Sequence, residues 1–277
     1  MSVLISQLVA LCALIVIGYI VFRYFPLKIT IKDITLTSFL IMISIVLSAF
    51  SMQIPLFGVM SLKIGFAQLP LMLMGVVMGP AWAFIGGLVQ DILDIIINPS
   101  GFPFLGFTLN KVLIATIPAF WFCKWNKMDQ KQVFGLIWVL LVAIFSLTMV
   151  GIWNTQSLTV NDNILVITSN IKILLTIACL VVMTLLVIIM VYFKHKYPYA
   201  NSRFHIANWI VAVLAIEICI QLILTPLWLD IMYGIPYIMN VLVRMIKSSF
   251  MIFLNVTIGY YLLRLINRIK ISKDEVE

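Results

Sequence analysis

Long apolar segments recur from one end of this chain to the other, separated by short stretches in which charged residues, glycine and proline collect. Runs of about 18 or more apolar residues with few charges match the hydrocarbon core of a bilayer, which is about 30 Å thick. Together with the helix breakers, the pattern predicts an all-α polytopic membrane protein. Its nine predicted membrane-spanning helices cover residues 3–25, 34–52, 64–79, 81–97, 106–123, 132–153, 165–193, 206–229 and 238–266.

The lysines and arginines are concentrated in every second loop between these segments. Cytoplasmic loops carry an excess of positive residues, so we expect the N-terminus outside the cell and the C-terminus in the cytoplasm. The first segment has no basic start and is longer than the apolar part of a typical signal peptide, so we expect it to remain as a span. The four predicted cytoplasmic clusters are Arg23, Lys28 and Lys32; Lys124, Lys127 and Lys131; Lys194, Lys196 and Arg203; and Arg264, Arg268, Lys270 and Lys273.

The composition leaves no room for a soluble catalytic domain. Of the 277 residues 64% are hydrophobic and 10% are charged, and the mean hydropathy is +1.17. The net charge of +8 is explained by membrane topology rather than by nucleic-acid binding, because the cations flank apolar segments and form no basic face. The four cysteines match neither a disulfide framework nor zinc spacing, and the chain contains no HExxH motif and no glycine-rich ATP-binding loop. We therefore expect no enzyme activity, no bound metal and no bound cofactor.

Ionisable residues at membrane depth are costly, so each is a candidate site residue. Six of them are predicted near the outer side of the membrane, four cations and two carboxylates, which favours a small electropositive cavity for an anionic ligand. The alternative is that Asp91 or Asp94 pairs with Lys111 or Arg244 only to hold helices together. The six residues are Lys63, Asp91, Asp94, Lys111, Arg244 and Lys247.

Arg244 and Lys247 are three residues apart and share one helix face, so both can reach a single carboxylate-bearing group. The alternative is that they extend towards the outer headgroups. Residues 98–106 are dense in breakers and aromatic residues, and are predicted to form a lid over the cavity. Nearby aromatic side chains can stack on a planar heteroaromatic ring or belong to an interfacial belt. These are Phe102, Phe104, Phe107, Trp228, Tyr233 and Tyr237.

Two separated groups of motifs carry a family resemblance. The first is Leu62-Lys-Ile-Gly-Phe-Ala-Gln-Leu-Pro-Leu-Met-Leu-Met-Gly-Val-Val-Met-Gly-Pro80, followed by Gly86-Gly-Leu-Val-Gln-Asp91 and Gly106-Phe-Thr-Leu109. The second is Leu224-Thr-Pro-Leu-Trp-Leu-Asp-Ile-Met-Tyr-Gly234, ahead of Arg244-Met-Ile-Lys247. Together with Ile45-Val-Leu-Ser48, they make the chain resemble the S components of energy-coupling factor (ECF) transporters, in the folate-type branch.

The resemblance implies a six-helix S-component-like bundle plus about three additional transmembrane helices. Residues 1–33 would form the extra N-terminal helix and a cytoplasmic linker, and residues 34–125 the first four helices of the bundle. Residues 126–204 would be an inserted helix pair, and residues 205–277 the last two bundle helices and a cytoplasmic tail.

The resemblance also implies a function. An S component captures a vitamin from outside and works with a transmembrane coupling subunit and two cytoplasmic ATPase subunits, so ATP is hydrolysed by separate subunits. Here the vitamin would be folate or a related reduced folate. Arg244, Lys247 and Lys63 would meet the carboxylates of its glutamate tail, and Asp91 and Asn110 the polar edge of its pterin ring. The other implied substrate-binding residues are Phe66, Phe107, Lys111 and Trp228, and the residues implied to dock on the coupling subunit are Ser44 and Ser48.

The chain departs from the family at Ala49, where an arginine is usual, and at Lys111, where a small residue is usual. Lys111 is a candidate replacement for the missing charge. An S component for a different vitamin is therefore the nearest alternative. From another class, a proton-coupled secondary transporter would use Asp91, Asp94 and Glu217 as proton carriers, although the sequence shows no convincing inverted repeat. A membrane enzyme is the last alternative, since no nucleophile or metal set is visible.

Overall fold

The computed structural model describes residues 2–27, 29–56, 59–99, 102–124, 157–160, 163–166, 168–196 and 206–274, and single positions between 135 and 153. The chain divides into two compact units, and each is described by itself. The first comprises Met1–Pro55, Met60–Lys127 and Thr257–Glu277, and the second comprises Leu56–Val59 and Met128–Val256.

The first unit is built from five helices and a two-stranded sheet. The helices are α1 (Ser2–Tyr24), α2 (Ile31–Ala49), α3 (Gln68–Met78), α4 (Pro80–Ile97) and α5 (Leu105–Lys124). The strands are β1 (Met52–Leu56) and β2 (Val59–Ile64), which belong to this unit except for Leu56 and Val59 at the turn. Helices α3, α4 and α5 pack against one another, α2 packs on α3 and α4, and α1 packs on α4 and α5.

The second unit begins with an antiparallel hairpin of β3 (Ser157–Val160) and β4 (Asn163–Val166). Helix α6 (Ser169–Lys196) follows, and then α7 (Ile206–Ile216), a π-helical segment (Glu217–Leu224) and α8 (Thr225–Tyr233) run without interruption. Helix α9 (Tyr237–Asp274) starts in this unit, and its residues from Thr257 onwards belong to the first. A π-helix of this length is unusual, because most occur as single-turn bulges, frequently at functional sites.

Local sequence signals explain where several helices begin and end. Thr30 caps α2, its hydroxyl accepting a hydrogen bond from the backbone N–H of Asp33 at 3.1 Å. Gly79, with φ of 88°, separates α3 from α4, and Pro80 then occupies the first turn of α4. Gly234, with φ of 65°, ends α8 in the left-handed conformation that favours glycine.

Two glycines allow helices to approach closely in the first unit. A Cβ on Gly75 of α3 would collide with the backbone carbonyl oxygen of Ala115 in α5. A Cβ on Gly87 of α4 would lie 2.8 Å from Cα of Val112, also in α5. Small residues at such positions are the usual means by which membrane helices pack tightly. Helix α5 therefore sits against both α3 and α4 because these two positions have no side chain.

Within the described residues, five helices are long and apolar enough to cross a membrane, which supports a multi-pass membrane protein. They are Val3–Tyr24, Ile31–Ala49, Pro80–Ile97, Leu105–Cys123 and Asn208–Tyr233. These correspond to the predicted spans 3–25, 34–52, 81–97, 106–123 and 206–229. The total of nine spans stays a prediction, and so do the orientation of the termini and the inserted helix pair. The predicted span 132–153 lies largely outside the described residues.

The structure differs from the predicted spans at two places. The predicted span 64–79 is shorter, since α3 has 11 residues and the chain before it forms the strands β1 and β2. Eleven residues rise about 16 Å, roughly half the thickness of a bilayer core. The predicted span 165–193 begins later, at Ser169, because its first residues belong to β4. Ile64 of β2 and Leu165 and Val166 of β4 are apolar, so hydropathy alone assigns them to the helices that follow.

Candidate functional site

Asp94 is the centre of a polar cluster in the first unit. Its Oδ2 accepts hydrogen bonds from Ser48 Oγ at 2.9 Å and from Lys111 Nζ at 3.1 Å, while its Oδ1 accepts one from Asn98 Nδ2 at 3.0 Å. Lys63 Nζ lies 3.9 Å from the same Oδ2. One carboxylate on α4 thus connects α2, α5 and β2.

Lys63 reaches this cluster from the end of strand β2. Its Nζ donates a hydrogen bond to Ser48 Oγ at 2.6 Å, and Ser48 in turn donates to Asp94. Burial lowers the pKa of Lys63, an effect that Asp94 opposes and that the neighbouring Lys111 adds to. The ammonium group is therefore already engaged by two side chains in this unit.

Asp91, one turn before Asp94 on α4, has a different partner. Its Oδ2 accepts a hydrogen bond of 2.7 Å from the hydroxyl of Thr108, a residue of the Gly-Phe-Thr-Leu motif in α5. Its side chain is buried, as is that of Asn110. Gln90 is also fully buried, and neither polar atom of its side chain has a hydrogen-bond partner among the described residues.

The contacts in the first unit match the pairing alternative for Asp94. Two lysines, Lys63 and Lys111, balance two carboxylates, Asp91 and Asp94, so these four side chains carry no net charge when ionised. These four residues therefore have no excess of positive charge among themselves, and the electropositive cavity formed by all six residues stays a prediction. The balance follows from the cost of an unpaired charge at membrane depth.

Ser44 and Ser48, predicted to dock on a coupling subunit, have their side chains buried inside the first unit. Ser44 Oγ donates to the backbone carbonyl of Ala67 at 2.7 Å, and Ser48 belongs to the Asp94 cluster. Both serines therefore have an internal role that the sequence analysis did not anticipate. Their docking role stays a prediction.

A second polar cluster lies in the second unit, on α9 and the π-helical segment. Arg244 Nη1 and Lys247 Nζ both donate to Oε1 of Gln221, at 3.1 and 3.4 Å. Arg244 Nε also donates to Oδ1 of Asn240 at 2.8 Å. Arg244 is 3% exposed. Two cations that share one helix face therefore converge on a single neutral oxygen, while their predicted contact with a ligand carboxylate stays a prediction.

Glu217, for which the sequence suggested no ligand role, belongs to the same cluster. Its Oε2 accepts a hydrogen bond of 2.9 Å from Ser248, and its charge acts on both Arg244 and Lys247. These three ionisable side chains together carry one net positive charge when ionised. Gln221 and Asn240 were not found by sequence reasoning, because neutral amides inside apolar helices give no signal by charge or spacing.

The predicted aromatic residues occupy different environments. In the first unit, Phe107 packs edge-on against the buried Phe104, with ring centroids 5.7 Å apart, while Phe102 is 82% exposed. Phe66, partly buried, precedes α3. In the second unit Trp228 is buried on α8. The predicted lid includes residues 100 and 101, which lie outside the described residues.

The chain was compared with known proteins, and no family model matches it. It is 34% identical over 117 residues to the folate transporter FolT of Clostridium novyi (strain NT), a match that covers 42% of this chain and 64% of that protein. The match thus spans less than two thirds of the relative's length. The structure resembles the crystal structure of FolT bound with folic acid, with a TM-score of 0.50 and 23% identity, over 86% of this chain and 97% of that one. The chain has a FolT-like fold.

Both matches confirm the resemblance to the folate-type branch that the motifs indicated. The curated relative is named as a transporter, in agreement with the prediction that this chain is not an enzyme. Within the described residues, no group of three or more histidine, cysteine, aspartate or glutamate side chains is placed to hold a metal ion.

Proposed function

We propose that this chain is the substrate-binding S component of an ECF-type importer that captures folate or a related reduced folate from outside the cell. The coupling subunit and the two ATPase subunits that hydrolyse ATP would be separate chains. The similarity to the folate transporter FolT supports the substrate class, and the FolT-like fold supports a membrane-embedded binding protein.

The observation that carries the proposal is the convergence of Arg244 and Lys247 on one oxygen atom. A folate presents two carboxylates on its glutamate tail. Replacing the neutral Gln221 oxygen by a carboxylate oxygen would convert two ordinary hydrogen bonds into charge-assisted ones, which are roughly twice as strong. Arginine supplies a planar fork and lysine a point charge, a combination suited to a carboxylate.

The other predicted substrate contacts take different parts in the proposal. Lys63 and Lys111 are bound to Asp94, so neither is proposed as the main contact of the tail. Asp91 and Asn110 stay candidates for the polar edge of the pterin, and Phe66, Phe107 and Trp228 stay candidates for stacking. The observed convergence gives a geometric reason for Arg244 and Lys247 alone.

The test is ligand binding to the purified chain in detergent, measured by isothermal titration calorimetry. Folic acid, 5-formyltetrahydrofolate, riboflavin, thiamine and pantothenate are compared. We expect the two folates alone to bind. We also expect Arg244→Ala/Lys247→Ala to weaken folate binding about a hundredfold or more, because two charge-assisted hydrogen bonds are lost.

Lys172→Ala is the matched control, since Lys172 is a lysine of the same unit whose Nζ contacts the backbone carbonyl of Trp153 instead. It should bind folate as the wild type does. Binding of another vitamin would replace folate as the substrate. Undiminished folate binding by the double variant would show that Arg244 and Lys247 do not hold the tail carboxylate. Uptake that persists without any ATPase subunit would contradict the importer mechanism and favour a secondary transporter.

A further inference from the structure

A proline that follows the π-helical segment Glu217–Leu224 gives a physical reason why this part of the helix is not α-helical. Pro226 lies two residues after the segment, in the first turn of α8. Proline has no backbone N–H, and its ring collides with the carbonyl group four residues earlier, which here belongs to Leu222. A regular α-helix is therefore disfavoured at this point. The Leu222 carbonyl oxygen instead accepts a hydrogen bond from the hydroxyl of Tyr237, at 3.4 Å.

Thr225, immediately before this proline, closes the segment with two hydrogen bonds to a single atom. Its backbone N–H bonds the carbonyl oxygen of Ile220, five residues earlier, which is the π-helical pattern. Its side-chain hydroxyl donates to the same oxygen at 2.7 Å. In an α-helix, the N–H of Thr225 would bond the carbonyl of Gln221 instead. The hydroxyl therefore favours the π-helical hydrogen bond over the α-helical one.

The hydrogen-bond register of the segment determines which side chain faces α9. Gln221 lies inside the segment, and its Oε1 accepts the hydrogen bonds from Arg244 and Lys247 at 3.1 and 3.4 Å. A change of register by one residue turns a side chain by about 100° around the helix axis. It would move Gln221 away from the two cations and bring Ile220 or Leu222 towards them. Both of these side chains are apolar, so neither can accept a hydrogen bond from a cation.

We propose that Thr225 is a positioning residue for substrate binding, because its hydroxyl keeps the segment in the register that places Gln221 against Arg244 and Lys247. The inference rests on the proposed function, since it takes the tail carboxylate of a folate as the group that these cations bind. Before the ligand arrives, the Gln221 oxygen keeps both cations directed to one point. Side chains that are ordered in advance lose less entropy on binding than freely rotating ones.

The first test measures folic acid binding to the purified chain by isothermal titration calorimetry. Thr225→Val keeps the shape of the side chain but removes the hydroxyl, whereas Thr225→Ser keeps the hydroxyl. We expect Thr225→Val to weaken folic acid binding about tenfold, because both cations lose their common acceptor. Thr225→Ser should bind folic acid as the wild type does.

A double-mutant cycle with Gln221→Leu distinguishes this role from a general loss of structure. Gln221→Leu puts an apolar side chain where a change of register would put one, so it should also weaken folic acid binding about tenfold. If Thr225 acts through Gln221, adding Thr225→Val to Gln221→Leu should weaken binding further by no more than about twofold. Independent effects would multiply instead, to about a hundredfold in the combined variant.

Thr176→Val is the matched control. The Thr176 hydroxyl also donates to a backbone carbonyl oxygen at 2.7 Å, but that of Ile173, three residues earlier, as is usual in an α-helix. Thr176 lies on α6 in the same unit, and its variant should bind folic acid as the wild type does. Thermal unfolding shows which variants are folded. Should Thr225→Val not fold, Pro226→Ala takes its place in the cycle with the same expected result, because it restores the N–H that an α-helix needs there.

Wild-type affinity in Thr225→Val would overturn the inference, and so would a loss in Thr225→Ser as large as that in Thr225→Val. Losses that multiply in the cycle would also overturn it, because Thr225 would then act independently of Gln221. In each of these cases the wild type still binds folic acid, so the proposed function stands. A wild-type chain that binds no folate would overturn the proposed function, and this inference with it.

Discussion

Replacing Asp94 by asparagine tests whether the polar cluster of the first unit stabilises the fold. The carboxylate accepts hydrogen bonds from Ser48, Asn98 and Lys111 at 2.9, 3.0 and 3.1 Å. An amide of the same shape has one acceptor and one donor, so whichever way it turns, its NH2 group faces either Asn98 Nδ2 or Lys111 Nζ. Both of those atoms are donors, and Lys111 also loses its counter-charge.

The expected loss of stability depends on how deeply Asp94 and Lys111 are buried. Breaking a fully buried pair costs about 3–5 kcal/mol, whereas an exposed pair is worth about 1 kcal/mol or less. The side chain of Asp94 is 10% exposed and that of Lys111 is 23% exposed, so water reaches the lysine in part. We therefore expect Asp94→Asn to lower the free energy of unfolding by about 2–3 kcal/mol. Most of this loss comes from Lys111, whose charge is then uncompensated.

Thermal unfolding of the purified chain in detergent, followed by circular dichroism, measures this loss. At about 2–4 °C per kcal/mol, Asp94→Asn should lower the Tm by roughly 4–12 °C. The double variant Asp94→Asn/Lys111→Met removes the stranded charge, so it should cost less than the sum of the two single changes, with a coupling energy of about 1–3 kcal/mol. Asp230→Asn, which changes an exposed carboxylate on α8, should have little effect.

Additive losses in this cycle would refute the reasoning. They would mean that Lys111 finds an equally good partner when Asp94 is neutral. The 3.1 Å contact between Lys111 Nζ and Asp94 Oδ2 would then contribute nothing to stability. A large loss in Asp230→Asn would mean that the Tm responds to net charge rather than to this cluster. Only a coupling confined to Asp94 and Lys111 supports a stabilising pair.

Two further predictions concern the first unit. Gly75→Val should abolish the monodisperse peak in size-exclusion chromatography, because its Cβ meets the Ala115 carbonyl oxygen, whereas Gly135→Val should keep it, since nothing lies within 4 Å of a Cβ at Gly135. A normal melting temperature for Gly75→Val would contradict this packing. Burial lowers the pKa of Lys63, so between that value and the ordinary lysine pKa the unfolded state binds more protons, and stability should rise with pH. Lys63→Met should flatten the rise in Tm with pH, and an unchanged slope would assign it to other groups.

The long apolar helices could be predicted from the sequence because a bilayer demands a continuous apolar run, and Gly79-Pro80 indicated the boundary between α3 and α4. The hairpin of β1 and β2 was not predicted, although its strands MQIPL and VMSLKI alternate apolar with other residues. Such alternation indicates a strand, but a search for long apolar spans passes over it. The π-helical segment escaped prediction because the residue pattern of α7 continues through it without a breaker.

The polar residues show where sequence reasoning about a site reaches its limit. The shared face of Arg244 and Lys247 follows from a spacing of three residues, which is local information. Their common acceptor Gln221 lies more than twenty residues away along the chain, and only tertiary packing brings it there. In the same way, the cost of burying charge indicated that Asp94 needs a partner. It did not distinguish Lys111 from Arg244.

The departure at Ala49 can now be understood in terms of charge rather than position. Ser48, the residue before it, bonds Asp94 and accepts a hydrogen bond from Lys63, while Asp94 also holds Lys111. Positive charge is thus brought to the end of α2 from β2 and α5, but Asp91 and Asp94 offset it within the same unit. An arginine at position 49 would add a charge that this cluster does not balance. Anion binding is therefore better sought at Arg244 and Lys247, where a positive charge remains after Glu217 is counted.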